Sequence, residues 1–431
     1  MISLLRSYWQ AFRATTPMRK LLHLVNRLWV RIALIGVLSL VAIAVARLIS
    51  PQLPPGLNQA VGAASVETLL QIIANSMLAV TTFSMTVVVT VFRSASGQWS
   101  PRVHRLMLDD QTMQNTLATL VGAYIYALAS IILLNTSAFS EEQIVVLFFF
   151  TIFVLILIVI AIVRWIVYLQ TLGSLIETTR RLENRTLTAL QNRTAKPCLG
   201  ANPLCDDSQI PDGVVPYCSD QTGYVQYIFE GALSEMAEAQ ELEVYIVAPV
   251  GRFVQAGEVI AYLSAMDDKI ESSLRRNIGV GDVRTFEQDP RFGIVVLGEI
   301  GSRALSPGIN DPGTAIDVVG RIARIFNSYT DESHADKDAI THPRLWVRPL
   351  NAADMIEDGF APIARDGAGV IEVQLALHKA LVHLSQSDDR GLSQAALNLG
   401  KQAFARSIET MTFANDRDRL RAAVPMAFIA E

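Results

Sequence analysis

Long apolar stretches dominate the first third of the chain. The longest, residues 144–163, has no charge, glycine or proline over twenty positions. A helix rises 1.5 Å per residue, so this stretch spans about 30 Å, the thickness of a bilayer's hydrocarbon core. Apolar side chains occupy every face of the helix rather than one stripe. The pattern is therefore typical of a membrane span and not of a soluble core helix.

Three further stretches reach or approach this length. Two carry no charge, whereas the first, residues 32–46, is uncharged for only 15 positions. Arg31 and Arg47 can extend that run by placing their guanidinium groups at opposite interfaces. The pattern predicts a four-helix transmembrane domain over 29–169. Its spans are predicted at about 29–49, 69–92, 116–134 and 144–166.

The loops between these spans differ in charge. Residues 1–31 carry six Lys/Arg and no acid, and 93–115 also contain basic residues. The stretches 50–68 and 135–143 have none. Because basic loops stay in the cytoplasm, both termini are predicted to be cytoplasmic. Residues 1–28 are then a basic cytosolic arm suited to anionic lipid.

The net charge changes sign along the chain. Residues 1–195 hold 15 basic and 7 acidic residues, and the remainder holds 21 and 34. The formal charge thus passes from +8 to −13. The acidic part is expected to form a cytosolic region, and its charge argues against nucleic acid as a partner.

The cytosolic part shows several kinds of pattern. Residues 170–195 have helical spacing and are predicted to continue the fourth span as a stalk, which offers a contact between subunits. Residues 196–222 are rich in proline and polar residues and are predicted to be a loop. That loop holds all three cysteines, whose spacings match no zinc pattern, so we interpret them as incidental thiols.

Alternating apolar positions return after residue 222. They predict a small β-rich domain over 223–285, interpreted as a small β-barrel, and then a helical domain over 286–431. The segment 248–260 resembles the hairpin of biotinyl/lipoyl-type domains. No lysine lies between Arg252 and Asp267, so a carrier role is rejected. The predicted fold class is therefore a four-helix membrane domain followed by a cytosolic α+β region with a helical C-terminal part.

Several short strings in the chain resemble the sequence pattern of a known family. Together with the Gly-Tyr-Val that starts at Gly223, they resemble the bacterial predicted membrane-protein family called domain of unknown function 2254. The longer strings are Trp99-Ser-Pro-Arg102, Arg284-Thr-Phe-Glu-Gln-Asp-Pro-Arg-Phe-Gly293 and Arg303-Ala-Leu-Ser-Pro-Gly-Ile-Asn-Asp-Pro-Gly-Thr-Ala315. The resemblance covers nearly the whole chain in the same order. It implies a bacterial inner-membrane protein and no particular activity.

The second span carries polar residues at regular spacing. They fall on one narrow helix face, with Arg93 at its cytoplasmic end. The row consists of Gln71, Asn75, Thr82, Thr86 and Thr90. Polar side chains in a span usually face protein or water. One interpretation is a permeation path lined by hydroxyls and amides. The other is packing between helices, because threonine also bonds to helix backbones.

A second candidate is a corner between two predicted helices. Asp311 is suited to cap a helix that starts at Pro312, and a helix N-terminus beside an arginine can hold an anion. The alternative, which we favour because Asp311 itself fills the cap, is a rigid structural corner. The corner residues are Arg303, Ser306, Gly308, Asn310, Asp311 and Thr314, with Gly308 and Asn310 expected at positive φ.

The six histidines form no metal-binding pair, and the sequence has no nucleophile elbow, P-loop or dinucleotide-binding pattern. We therefore expect no enzyme activity, catalytic residue, metal or cofactor. The first hypothesis is a homo-oligomeric channel lined by the second span, with a small ion or an anionic ligand as the bound species. The second is a membrane-anchored cytosolic sensor or interaction platform without a permeation path.

Overall fold

The computed structural model describes residues 28–49, 62–96, 100–108, 110–136, 139, 141–334 and 339–429. The basic arm predicted for 1–28 thus lies almost wholly outside the described residues. The chain divides into two compact units. The described residues of 28–96 and 104–174 form a membrane unit. Residues 100–103 belong with 175–429 to a second unit, which we call the α/β unit.

The membrane unit is helical. In chain order its helices and the short connecting one are α1 (Leu28–Ile49), α2 (Ala63–Ser96), α3 (Pro101–Leu108), α4 (Gln111–Asn135) and α5 (Glu141–Leu169). Among the described residues, all of these except α3 are long and apolar enough to cross a membrane, which confirms the four predicted apolar helices. The 34 residues of α2 correspond to about 51 Å, so this helix is longer than the hydrocarbon core.

Helix α4 is the centre of the membrane unit and packs against α1, α2 and α5. Glycines allow its close approach to α1: a Cβ on Gly122 would lie 2.6 Å from the Cβ of Ile35, and one on Gly36 would lie 2.9 Å from Cγ2 of Ile125. Such small residues are the usual means of close helix packing in membranes. The interior of the unit is a continuous apolar cluster that includes Leu120.

The expected stalk is not a continuation of the fourth span. Helix α5 ends at Leu169, a turn with Gly173 at φ 87° follows, and α6 (Leu175–Ala195) begins anew. The face proposed for subunit contact is buried inside the α/β unit, where Leu182 is fully buried and Thr186 is 1% exposed. The stalk prediction is wrong because these positions pack against two later helices of the same chain.

Two sheets form the β part of the α/β unit. The strands are β1 (Ala201–Pro203), β2 (Val215–Cys218), β3 (Gly223–Ile228), β4 (Val244–Ile246), β5 (Phe253–Val254), β6 (Val259–Leu263), β7 (Ile278–Gly281) and β8 (His342–Val347). Five strands pair in the order β1-β8-β4-β6-β2, and three in the order β5-β3-β7. Strand β8 is parallel to both of its neighbours, whereas the other pairs are antiparallel.

The structure corrects two predictions about this region. The small β-barrel is wrong, because both sheets are open and no closed barrel occurs among the described residues. The segment 196–222 is not only a loop, because it supplies the edge strands β1 and β2 of the larger sheet. Strand β1 pairs with β8, which follows far later in the chain, so this sheet combines distant segments.

Helices make up the rest of the α/β unit. They are α7 (Glu230–Ala239), α8 (Asp268–Asn277), α9 (Pro290–Ala304), α10 (Pro312–Phe326), α11 (Ala352–Asp366), α12 (Ile371–Ser385), α13 (Arg390–Thr410), α14 (Ala414–Ala423) and α15 (Met426–Ile429). Helix α9 packs against α6, α10 and α11. Its approach to α6 is very close, since a Cβ on Gly293 would lie 1.8 Å from the hydroxyl of Thr186. Helix α9 is therefore held on several sides, and this packing fixes the position of the residues at its C-terminal end.

Candidate functional sites

The polar row on α2 faces outward from the membrane unit. The side chains of Gln71, Asn75, Thr82, Thr86 and Thr90 are all exposed. The other side of α2 is buried against the unit, as shown by Leu70, Ile73 and Val88. The row therefore does not pack against the other described helices of the membrane unit.

Hydrogen bonds inside α2 satisfy most of this row. The hydroxyls of Thr82, Thr86 and Thr90 donate to the carbonyl oxygens four residues earlier at 2.8–2.9 Å. Gln71 Nε2 donates to Glu67 Oε1 at 3.3 Å. Asn75 differs, because its amide forms no hydrogen bond with any residue that the structure describes. The threonines can thus tolerate an apolar surrounding, whereas Asn75 needs an external partner.

The small-residue face of α4 gives a useful contrast. Ala123, Ala127 and Ser130 are buried in the membrane unit, so this face packs against neighbouring helices. The face of α2 that bears the polar row has similar spacing but remains uncovered. Large apolar side chains next to the row, such as Phe83 at 66% exposure, are suited to lipid. The row is a polar strip on an otherwise lipid-compatible surface.

Hydrogen bonds between its own residues hold the corner between α9 and α10. Asp311 caps α10 by accepting hydrogen bonds from the backbone N–H and the hydroxyl of Thr314, at 3.0 and 2.6 Å. The Ser306 hydroxyl donates to the carbonyl of Arg303 at 2.7 Å. Asn310 has the expected positive φ, 51°, whereas Gly308 does not. These bonds agree with the interpretation as a rigid corner.

The electrostatics of the corner support the same conclusion. The hydroxyl and the backbone N–H of Thr314 lower the pKa of Asp311 below its ordinary value. The carboxylate is therefore charged at neutral pH and occupies the positive end of α10. An incoming anion at this helix terminus would meet a fixed negative charge.

The side chain of Arg303 lies in a different place, an open cavity of about 470 Å³ in the α/β unit. This cavity, which we call the arginine cavity, is lined by Ser100, Pro101, Arg102, Glu299, Ser302 and Arg303. Arg102 contacts Glu299 through Nη1 and Oε1. Two of the strings that carry the family resemblance thus contribute to one cavity, although Trp99 itself lies outside the described residues.

The sequence analysis missed most of this cavity. It placed Arg303 at the corner beside α10 and assigned no role to Glu299, Ser100 or Ser302. The sequence feature that could have pointed to this cavity is the Ser-Pro-Arg string after α2. Nothing in the sequence brings that string to α9, because the contact depends on tertiary structure.

No group of three or more metal-binding side chains occurs among the described residues. The three cysteines are free, with Cys198 buried and the other two exposed. Burial raises the pKa of the Cys198 thiol to about 12, and the nearby Glu332 carboxylate acts in the same direction. This thiol is therefore protonated at neutral pH and is a weak nucleophile and metal ligand.

Relatives of this chain occur in mycobacteria. The uncharacterized protein Rv1290c of Mycobacterium tuberculosis and the uncharacterized protein Mb1321c of Mycobacterium bovis are each 28% identical to it over 187 residues. The match covers 41% of this chain and 36% of each relative, so it spans about a third of their length. No solved structure is detectably similar to this chain. The family described as "Predicted membrane protein (DUF2254)" matches residues 25–383, and the chain belongs to this family.

Proposed function

We propose that the protein is a non-enzymatic, homo-oligomeric channel of the bacterial inner membrane, in which the polar row of α2 faces an aqueous path between subunits. The observation that carries the proposal is the outward-facing Asn75, whose amide has no hydrogen bond within the described residues. An unsatisfied amide in hydrocarbon costs several kcal/mol, on the order of 4. Water or a second subunit removes this cost, and lipid does not.

The packing of the membrane unit is the reason why we propose an aqueous path between subunits rather than within one. Its interior is a continuous apolar cluster that includes Leu70, Leu120, Tyr126 and Leu147. Among the described residues, this apolar interior offers no continuous polar route through the centre of a single copy. Several copies that turn their α2 helices toward a common axis would bring the polar rows together. The large apolar side chains beside each row would then face neighbouring subunits or lipid.

One observation favours the alternative, a membrane-anchored platform without a permeation path. The threonine hydroxyls of the row already bond to their own helix. They do not require water, so the row can also be covered by a dry contact between subunits. Both functions thus include an oligomer, and they differ in whether water reaches the row.

Cysteine accessibility distinguishes the two functions. Cys198, Cys205 and Cys218 are first changed to serine, and single cysteines are then placed on three surfaces of α2. Asn75→Cys and Thr86→Cys probe the row, Ile73→Cys probes the buried face, and Phe83→Cys probes an exposed apolar position. In a channel, a water-borne thiol reagent labels only the row positions. Labelling of Phe83→Cys as well would indicate general exposure rather than a path.

Flux and oligomeric state complete the test. The purified protein is reconstituted in liposomes, ion flux is measured, and subunit number is determined by native mass spectrometry. We expect flux that Thr86→Leu reduces and Phe83→Leu leaves unchanged. Uniform protection of every α2 position, together with absence of flux, would exclude the channel and favour the platform. A monomer in the membrane would contradict both.

The proposed orientation places both termini in the cytoplasm. It follows from the distribution of basic residues in the loops. Reporters fused after Phe139 should be exported, whereas reporters fused after Val103 or at the C-terminus should stay in the cytoplasm. An exported C-terminal reporter would contradict this topology.

A further inference from the structure

The arginine cavity has the composition of an anion site with one unusual member. Two guanidinium groups, from Arg102 and Arg303, and two hydroxyls, from Ser100 and Ser302, line the same open space. Guanidinium groups bind tetrahedral oxyanions well because their planar N–H donors match two oxygens at once. The unusual member is Glu299, a carboxylate that lines the same cavity.

One carboxylate oxygen of Glu299 contacts an arginine, and the other has no hydrogen-bond partner among the described residues. Arg102 contacts Oε1, while Oε2 is buried and forms no hydrogen bond within the described residues. A buried acceptor without a donor is unfavourable. The Glu299 side chain is 28% exposed, so its rotation toward the cavity would let Oε2 accept a hydrogen bond from a ligand there. An anion that lacks a hydrogen would instead be repelled by the carboxylate.

A second carboxylate lies next to the cavity. The Ser302 hydroxyl donates to Asp366, which is also held by Arg365 at 2.7 and 3.0 Å. The Ser302 hydroxyl is therefore already committed as a donor, and its oxygen remains an acceptor. Both features favour a ligand that combines negative oxygens with at least one O–H group.

We propose that the arginine cavity binds inorganic phosphate, or a phosphate monoester in its singly charged form, because each of these carries a P–OH group. Arg102 and Arg303 donate to the charged phosphate oxygens, and Glu299 accepts the P–OH hydrogen at Oε2. Arg102 is half-exposed, and exposed ion pairs contribute little free energy. A guanidinium has five N–H donors, so Nη1 can stay on Glu299 Oε1 while the other N–H groups donate to the ligand. Sulfate has the same shape but no hydrogen at neutral pH, so the site discriminates against it.

The same chemistry has two sources. One is a soluble phosphate or phosphate monoester, and the other is the monoester headgroup of phosphatidic acid. The second source is relevant because residues 100–103 follow closely after the membrane helix α2 in the chain. Phosphodiester lipids such as phosphatidylglycerol lack the P–OH group and are not ligands of this site.

Calorimetry on the full chain in detergent tests the proposal with inorganic phosphate and sulfate at equal ionic strength. We expect saturable binding of phosphate and none of sulfate. Arg303→Gln and Arg102→Gln should each weaken phosphate binding about tenfold or more, as expected for loss of a charge-assisted contact. Arg275→Gln, which removes an exposed arginine elsewhere in the α/β unit, is the control and should change nothing.

Glu299→Gln gives the sharpest result, because the amide can donate a hydrogen bond. We expect this variant to bind sulfate and to lose the difference between the two anions. Thermal unfolding without ligand checks that each variant folds. Equal effects of phosphate and sulfate on the parent protein and on the arginine variants would show only a general salt effect and overturn the proposal.

Nanodiscs identify the source of the ligand. Phosphate binding is measured in phosphatidylglycerol discs with and without phosphatidic acid. Weaker phosphate binding in the discs that contain phosphatidic acid than in discs of phosphatidylglycerol alone would assign the site to the headgroup. Undiminished phosphate binding would assign it to a soluble ligand. Absence of phosphate binding, and of any difference between the lipids, would overturn the proposal. None of these three outcomes depends on the existence of a channel.

Discussion

Polar side chains find their hydrogen-bond partners in different ways in the two units. In the α/β unit, some buried charges find partners far away in the chain, as when Arg193 binds Glu332 through two hydrogen bonds of 2.8 and 2.5 Å. In the membrane unit, the exposed threonines of α2 bond to carbonyls one turn away. Removal of a polar group should therefore be costly in the α/β unit and inexpensive in the membrane unit.

The difference reflects what each surrounding allows. The side chains of Arg193 and Glu332 are 6% and 2% exposed, so neither charge can turn to water if its partner is lost. A threonine in a membrane helix always has a backbone carbonyl within reach. Long-range pairs thus stabilise the fold of the α/β unit. The threonine hydroxyls of the polar row make no described contact that stabilises the membrane unit, so the row is available for a contact outside it.

The largest expected effect comes from breaking the buried pair. Glu332→Ala leaves the Arg193 guanidinium buried without its counter-charge and also removes the acceptor of the Leu350 backbone N–H. We expect a loss of about 3–5 kcal/mol in the unfolding free energy of the α/β unit. Denaturant unfolding of the full chain in detergent measures it. Glu271→Ala, in an exposed pair, is the control, and equal losses in both variants would contradict the comparison.

The next effect concerns the cluster around Glu183. Burial by itself raises the pKa of this carboxyl, but hydrogen bonds from Arg324 and Arg321 outweigh burial and lower the pKa below 4.5. A lowered folded-state pKa gives stability that is present above the unfolded-state pKa and is lost as the pH falls through the folded-state value. We expect Glu183→Gln to cost about 2 kcal/mol at pH 7.

The pH profile sharpens this test. The parent protein should lose unfolding free energy as the pH falls below about 4.5, and Glu183→Gln should show a smaller loss over the same range. Unfolding curves of both proteins at pH 7 and pH 4 give the comparison. Parallel profiles would mean that other carboxylates cause the acid sensitivity.

A local polar contact in the α/β unit should have an intermediate effect. Asp311→Ala removes the cap of α10 and should reduce the unfolding free energy by about 1 kcal/mol. Asp311→Asn keeps an acceptor and should recover most of the loss. The measurement is made without added ligand. Unchanged stability in Asp311→Ala would reopen the interpretation of this corner as a binding site.

The smallest effect is expected in the membrane unit. Thr82→Val removes a hydroxyl whose only described bond is to the carbonyl of Leu78 in the same helix. We expect a change below about 0.5 kcal/mol in the stability of the membrane unit, measured by thermal unfolding under conditions where the protein is monomeric. A loss above about 1 kcal/mol would show that this hydroxyl has a partner outside α2.

Local patterns in the sequence predicted the local features of the molecule. Apolar length alone located the four membrane helices, and periodic spacing located the polar row from Gln71 to Thr90. Alternation in 223–263 predicted strands close to β3, β4 and β6. These features depend on neighbouring residues, so no knowledge of the rest of the chain was needed.

Features that depend on distant pairing were predicted poorly. The sheet could not be deduced because β8 lies between β1 and β4, two strands that occur far earlier in the chain. The surface of α6 appeared available to a second subunit because its partners, α9 and α10, follow roughly a hundred residues later. The arginine cavity was missed for the same reason, since Arg102 and Glu299 meet only in the folded α/β unit.

The threonine bonds of α2 have a mechanical consequence. The carbonyls of Leu78, Thr82 and Thr86 each accept a hydroxyl in addition to the N–H of the regular helix. A carbonyl shared between two donors holds its backbone hydrogen bond less tightly, and helices bend readily at such points. Three of them follow one another along one side of a single helix. Helix α2 is thus most compliant along the strip that bears its polar side chains.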